Sequence, residues 1–505
     1  MQDALAAPTL PDDVTTCHRM IGELLGTVRE QRRENEQLRS RLDQLLRRIY
    51  GPRSERINPD QPLLFGAPPG EAPPAAPPAD EPAAKASSNG RHGRRKLPKD
   101  LPRQRVEHDL TDAEKLCPCC GDARVRFGED SRERLDYRPA SLFIAEHVRP
   151  KYVCRRCAGQ IVAAPAPAEA VPKCVAGPGL LAHVIVSKYA DHLPLHRLEG
   201  ILARHGVPLS RSTMGDWLTG CAAALAPLYL LMCDRVRQSK VIHTDDTPVT
   251  TLDRADPDGR KTGRVWVYLG DREHPYTVYD MTASRSRDGP KTFLDGFRGY
   301  LQADAFGGYD GLYAKGVTEV ACWAHARRKF FDAKETAAAE AHEALARIRA
   351  LYDIETRAKP LAPAERAALR QAEAAPLLAS LGRWLDDRRP HALPKSPLGQ
   401  AVTYATNQWP ALQVYVTDGD LAIDNNAAER ALRKIAVGRK NWLFFGSDAG
   451  GTTAAVLASF TETCRRHAVN PWTYLADALT KLPTHPAEQL ADFLPDRWAA
   501  AHASA

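Results

Sequence analysis

Three carboxylates lie far apart in the chain but could serve one reaction. Asp245 follows the apolar run Val241-Ile242-His243, Asp304 closes Tyr300-Leu-Gln-Ala-Asp304, and Glu429 stands in Asp424-Asn-Asn-Ala-Ala-Glu-Arg430. Carboxylate oxygens are the hard ligands that Mg²⁺ or Mn²⁺ takes. In-line displacement at a phosphodiester uses two such ions about 3.5–4 Å apart. The chemistry this set points to is therefore cleavage or transfer of nucleic-acid strands. Each residue also has a plainer role open to it. Asp245 and Asp246 precede Thr247-Pro248 and would suit a turn, Asp304 precedes Ala-Phe-Gly-Gly, and Glu429 is three residues after Asn426, as in a capping box. Asp246 and Asp424 are the rivals for the first and third positions.

A second constellation is made of thiols. Cys117-Pro-Cys-Cys120 and Cys154-Arg-Arg-Cys157 are two CxxC pairs with 33 residues between them. Two such pairs supply four thiolates to one tetrahedral zinc, and four protein ligands leave no position for water, so the expected site is structural. Cys119, inside the first pair, is not counted as a ligand. The other cysteines are scattered, which suits a reducing compartment rather than a disulfide framework.

Net charge is +7 over 505 residues, and its distribution says more than its size. Arg94, Arg95 and Lys96 lie in a basic stretch from Arg91 to Arg105. Arg327, Arg328 and Lys329 follow the fifth expected strand, and Arg430, Arg433, Lys434, Arg439 and Lys440 follow Glu429. Each Lys or Arg set on a phosphate releases a counterion, so these clusters are candidate DNA contacts. A solvated surface is the other reading.

The positioning elements follow from periodicity. With Ile21 as position a, Ile21, Val28, Asn35, Leu42 and Ile49 fall on a sites and Leu24, Gln31, Leu38 and Leu45 on d sites, the pattern of a coiled coil. Residues 66–88 are rich in Pro and Ala and read as a linker. Leu195, Leu198, Ile201 and Leu202 share one helix face. Gly206-Val-Pro-Leu-Ser210 breaks that helix, and Ser210 is placed to cap the next. Helix, turn, helix is the geometry of a DNA reader and also the commonest way to pack two helices. From Lys240 the order is three strands, a short helix near Thr292–Phe297, a strand, a helix and a strand, the order of an RNase H-like α/β core. Residues 326–415 are Ala- and Leu-rich and read as helical.

The expected architecture is multidomain. Residues 1–56 form a coiled-coil oligomerisation region, 57–106 a Pro/Ala-rich linker with a basic segment, 107–172 a zinc-finger domain, and 173–238 a helical, helix–turn–helix-like DNA-binding region. Residues 239–445 form an RNase H-like catalytic core with a helical insertion at about 331–415, and 446–505 a C-terminal helical region.

Several motifs together resemble those of insertion sequence 66 family transposases, which are of the acidic-triad (DDE) type. They are His243-Thr-Asp-Asp-Thr-Pro248, Leu301-Gln-Ala-Asp304, Cys322-Trp-Ala-His-Ala-Arg-Arg-Lys-Phe330, Asp424-Asn-Asn-Ala-Ala-Glu-Arg430 and Gly438-Arg-Lys-Asn-Trp-Leu-Phe-Phe-Gly446. Gly51-Pro-Arg-Ser-Glu-Arg56, the Cys pairs, Lys188-Tyr-Ala-Asp-His-Leu-Pro194 and the closing Leu494-Pro-Asp-Arg-Trp498 extend the resemblance over nearly the whole chain. This chain departs at Asp246, where the family usually has Glu, and at Asp496, where it usually has Trp. The resemblance implies Asp245, Asp304 and Glu429 as the catalytic triad. It also implies binding to terminal inverted repeats, and accessory proteins from the same element.

The expected activity is nicking at the ends of an insertion sequence, followed by attack of the freed 3′-hydroxyl on target DNA. The cofactors would be two Mg²⁺ or Mn²⁺ ions and one structural Zn²⁺. Two readings each are open to His325, as a phosphate contact or a structural histidine beside Trp323, and to Trp442 and Phe444, as base-stacking or core residues. The chain would act as a homodimer or larger. No apolar run approaches the roughly 20 residues of a membrane span, and Met1–Asp13 lacks signal-peptide character. The expected location is thus the bacterial cytoplasm, at the nucleoid. Two other functions fit part of the pattern: a non-catalytic zinc and helix–turn–helix regulator descended from a transposase, and a stand-alone RNase H-like nuclease or resolvase.

Overall fold

The computed structural model describes residues 13–50, 142–147, 151–152, 162–163 and 167–502. The four zinc-finger cysteines, the Pro/Ala linker and the basic stretch with Arg94, Arg95 and Lys96 lie outside those residues.

Helix α1 (Val14–Tyr50) starts where Asp13 accepts the Thr15 and Thr16 N–H groups, at 3.2 and 2.9 Å. The Thr16 hydroxyl, donating to Asp13 at 2.6 Å, and then these backbone bonds hold its carboxyl below the usual range. Two short strands, β1 (Lys151–Tyr152) and β2 (Val162–Ala163), pair antiparallel. Then come α2 (Pro178–Tyr189), α3 (Leu195–Arg204) and α4 (Arg211–Arg237). Ser210 caps α4, its Oγ accepting the Thr213 N–H at 3.1 Å. Although α4, interrupted by charged residues only at its ends and at Asp216, is long and apolar enough to cross a bilayer, its Leu225, Leu228, Met232 and Val236 are fully buried in protein.

A five-stranded mixed sheet follows, built from β3 (Val241–Leu252), β4 (Arg260–Leu269), β5 (Thr277–Thr282), β6 (Tyr300–Gln302) and β7 (Thr318–Val320). The spatial order is β5-β4-β3-β6-β7. β3, β4 and β5 form an antiparallel meander, and β6 and β7 add parallel on the other side of β3. Long β3 thus has β6 beside its start and β4 along the rest, with Phe445 bridging to Thr251 on the open side near its end. Pro248 lies beyond the last residue paired with β6, so its missing N–H breaks no ladder on that side. Between β5 and β6, α5 spans Asp288–Phe293 and α6 (Asp310–Tyr313) follows β6. The helix expected near Thr292–Phe297 therefore starts and ends four residues earlier. Gly296, at φ +76°, and Gly299, at φ +146°, take the chain out of it before β6.

Beyond β7 the chain is helical: α7 (Trp323–Asp332), α8 (Ala338–Ala358), α9 (Pro363–Leu369), α10 (Ala375–Arg388), α11 (Pro397–Asn407), α12 (Trp409–Gln413), α13 (Asn426–Trp442), α14 (Asp448–Arg466), α15 (Pro471–Lys481) and α16 (Pro495–His502). Side chains of α7–α12 bury Val241 and Val320 of the sheet together with Trp323, Phe330, Ile348 and Trp384. Alternation along β4 divides the other two cores. Val265, Val267 and Leu269 meet Ala428, Leu432 and Ile435 of α13, whereas Trp266 and Tyr268 join the core shared with α2, α4 and α5.

Candidate active site

Strand parity separates the two adjacent aspartates. Asp245 pairs across β3/β4 with Val267 and Asp246 with Trp266, so they point to opposite faces of the sheet. Neither ends a turn, because β3 runs on to Leu252. Gln302 of β6 is level with His243, and Asp304 comes two residues later, in step with Asp245 along the parallel pair. Glu429 lies on the first turn of α13, the helix packed on the Asp245 face.

A buried asparagine stitches this helix to the strand. Asn425, fully buried, donates through Nδ2 to the Thr244 carbonyl at 2.8 Å, and its Oδ1 accepts from His243 Nδ1 at 3.0 Å. Its own N–H meets Cys322 Sγ at 3.2 Å. The start of α13 is therefore tied to the residue before Asp245 and the residue before α7. The capping box open to Asn426 and Glu429 is not formed: Asn426 Nδ2 instead donates to Asp424 at 2.7 Å.

Charge is unevenly balanced. Asp246, its side chain 2% exposed, is paired with Arg264 at 2.8 Å and Arg285 at 2.9 Å. Arg285 also reaches Asp304 at 3.5 Å and lies over the Phe306 ring at 4.3 Å. Asp424 accepts from the Tyr352 hydroxyl at 3.1 Å. Asp245, by contrast, has no basic partner within ion-pair distance among the described residues. Burial, then the charges of Asp304, Asp246 and Glu429, push its carboxyl up to about 7. Burial also raises Asp304, against the pull of Arg285 and His325. His325 Nε2 is 3.8 Å from Glu429, and its Nδ1 is buried without a hydrogen-bond partner.

Asp245, Asp304 and Glu429 are thus brought into one electrostatic neighbourhood. Among the described residues, no three His, Cys, Asp or Glu side chains converge as a ready metal cage. The donor set nonetheless suits a hard divalent cation, being carboxylate oxygens with an excess of negative charge at a partly desolvated aspartate.

The basic candidates divide. Arg430, Arg433 and Lys440 are exposed on α13, and Arg328 and Lys329 on α7, with Lys329 5.9 Å from the Tyr404 ring. Arg327 lies 6.0 Å from the Phe331 ring. Arg439 is turned back to β3, donating to Thr247 Oγ1 at 2.8 Å and to the Pro248 carbonyl. Trp442 stacks on Phe445 at 4.6 Å, a packing role, and Phe444 is exposed. Arg264, Arg285 and Asn425 were not singled out from sequence. Both arginines act across strands, where local pattern carries no signal. Asn425 had one, its place inside a motif already noted.

Comparison with known proteins places these features. A family model described as "Transposase IS66 family" matches residues 173–453, more than half of the chain. Models described as "zinc-finger binding domain of transposase IS66", "IS66 C-terminal element" and "Transposase C of IS166 homeodomain" match residues 114–158, 459–495 and 37–106. The chain is similar to two proteins of Sinorhizobium fredii (strain NBRC 101917 / NGR234). Uncharacterized protein y4jD is 33% identical over 517 residues, 97% of each chain. Uncharacterized protein y4hP is 34% identical over 436 residues, 81% of this chain and 78% of the other. No solved structure matches.

Proposed function

The chain belongs to the IS66 family of transposases, and from that membership we propose that it cuts DNA at the ends of an insertion sequence and joins them to target DNA, with an RNase H-like core. The observation that carries this reading is Asp245: mid-sheet, raised first by burial and then by neighbouring carboxylates, and without a basic partner among the described residues, while its neighbour Asp246 is held by two arginines. Asp245, Asp304 and Glu429 would hold the divalent metal. When bound, Mg²⁺ or Mn²⁺ supplies the positive charge that activates the attacking oxygen and steadies the leaving one.

The remaining roles belong to the chain. Asn425 fixes the height of the Glu429 turn against β3, so the third carboxylate is presented to the first two. Arg285 takes up charge on Asp246 and Asp304 and leaves Asp245 unmatched. Arg430 and Arg433, exposed beside Glu429, seat the DNA backbone near the carboxylates. Arg328, Lys329 and Lys440 extend that basic surface, and Arg94, Arg95 and Lys96, outside the described residues, are further DNA contacts in this reading. Cys117, Cys120, Cys154 and Cys157 would bind one structural zinc, and their span falls within the matched zinc-finger model. Terminal inverted repeats and target DNA are the substrates, and α1 supports pairing of two copies.

The test is metal-dependent strand cutting. The full-length protein is incubated with labelled duplex carrying the element's end and Mg²⁺ or Mn²⁺, beside Asp245→Asn, Asp304→Asn and Glu429→Gln. Altering residues that only support a metal site already costs about 10–100-fold. Each of these three changes should therefore lower cutting by roughly 100-fold or more while DNA binding persists. Variants that cut as well as the parent would disprove the triad. Binding without cutting by every protein, with the element's other products supplied, would favour a DNA-binding regulator. Cutting without joining would favour a nuclease.

A further inference from the structure

The exposed face of α13 carries one stripe. Arg430, Arg433, Val437 and Lys440 follow each other at intervals of three, four and three residues, and all are exposed. The stripe begins beside Glu429 and ends at a turn of unusual shape. Leu443 has φ 68° and ψ −46°, and the Phe444 N–H donates back to the Trp442 carbonyl at 2.8 Å. That is a γ-turn centred on a residue at positive φ, a strained conformation for leucine that persists only where its surroundings impose it.

The surroundings do impose it. Trp442 and Phe445, on either side of the tip, stack on each other with ring centroids 4.6 Å apart. The Phe445 N–H donates to the Thr250 carbonyl, and the Leu252 N–H to the Phe445 carbonyl, both at 2.9 Å. Between these anchors Leu443 is 64% exposed and Phe444 44%. A chain that needed only to turn would take glycine or asparagine here. Two large apolar side chains are instead held rigidly out into water, at the end of a cationic stripe. The nearest following acid, Asp448, is occupied by Lys261 at 2.8 Å.

We propose that Leu443 and Phe444 form an apolar wedge that enters the stack of bound duplex DNA and opens one base step, about six base pairs from the phosphate that is cut. The proposal rests on the transposase reading. The charge of the stripe commits the occupant to a polyanion. Apolar side chains at its tip have nothing to bind on a phosphate, whereas Leu and Phe wedges unstack base steps. The spacing follows from the helix. Fourteen residues separate Glu429 from Leu443, at a rise of 1.5 Å each, so the tip is about 20 Å beyond the carboxylates. At 3.4 Å per base pair that distance is about six pairs. An opened step would bend the duplex and fix the position of the cut relative to it.

The experiment places 2-aminopurine, which brightens when unstacked, singly at successive positions of an element-end duplex. The full-length parent is compared with a Leu443→Gly/Phe444→Ala double variant and with Phe444→Leu. Glycine relieves the turn, so the double variant should melt no lower than the parent. The parent should brighten a narrow window near the sixth pair from the cut. Phe444→Leu should keep that signal, and the double variant should lose it while still binding the duplex. A parent that binds and cuts but brightens no probe overturns the wedge alone, as does equal brightening by the double variant. A parent that binds no element-end DNA overturns the transposase reading and the wedge with it.

Discussion

At the scale of single residues, the unmatched charge on Asp245 should be visible in stability. Its carboxyl titrates near 7 in the folded chain and near 3.8 when exposed. The folded state therefore holds this proton more tightly than the unfolded state. Its stability should fall as pH rises from about 4 to about 7 and stay lowered above that. Asp245→Asn removes the penalty. The variant is expected to be more stable than the parent at pH 8, by on the order of a few kcal/mol, with the difference closing near pH 4. Mg²⁺ or Mn²⁺ at pH 8 should raise the parent's melting temperature and barely move the variant's. Equal melting at pH 8, with no response to metal in either protein, would contradict the charge imbalance.

Asp245, Asp304 and Glu429 stand out in the sequence because Asp245 and Asp304 follow short apolar runs and Glu429 opens a helical stretch. It left Asp246 and Asp424 as rivals, because nothing local says what a carboxylate will touch. The difference lies in Arg264, 18 residues after Asp246 and opposite it only after β3 and β4 pair, and in Arg285, on a loop after β5. Tyr352, which occupies Asp424, comes from a helix 72 residues away. Long-range partners of this kind have no periodicity to read.

At the scale of elements, the edge of the sheet makes the next prediction. β5 is the outermost strand, and an open edge is normally a liability. Here α14 serves it with hydroxyls. Thr463 Oγ1 accepts the Thr277 N–H at 3.1 Å and donates to the Thr277 carbonyl at 3.0 Å, and Ser459 Oγ accepts the Tyr279 N–H at 2.8 Å. Tyr229 closes the row by donating to the Tyr279 carbonyl at 2.8 Å. Thr463→Val keeps the shape and leaves two buried backbone groups of Thr277 without partners. It should destabilise by about 1–3 kcal/mol with an unchanged urea m-value. A loss within experimental error would mean that water reaches the edge.

The strand and helix order around the site was legible because apolar alternation switches to a helical period at each boundary. The start of α5 was not, since its first turn holds Gly289 and Pro290 and shows no apolar stripe. Nor was the full length of β3, because a proline after four polar residues reads as a turn. Pro248 is acceptable there because it falls between the last residue paired with β6 and the Phe445 bridge at Thr251.

At the scale of the whole molecule, α1 has an apolar surface that the described residues leave exposed. The helix is 37 residues long. Ile21 and Val28, at a positions, and Leu24 and Leu38, at d positions, are exposed, with Leu25 beside them. An apolar stripe along a helix of about 55 Å is unfavourable in water unless it is covered. A second copy in the same register covers it by knobs-into-holes packing. On the function proposed above, two element ends are held together, and such pairing would serve that task. Leu24→Lys/Val28→Lys should shift the sedimentation coefficient from dimer to monomer without changing the melting of the sheet domain. Asn35, exposed at an a position, sharpens the test. A polar a residue fixes register and strand number at some cost in stability. Asn35→Leu should therefore raise the melting temperature of the helical assembly while broadening its size distribution beyond the dimer. A parent that sediments as a monomer at tens of micromolar, or an Asn35→Leu variant that gains stability yet stays a sharp dimer, would remove α1, or Asn35, from that role.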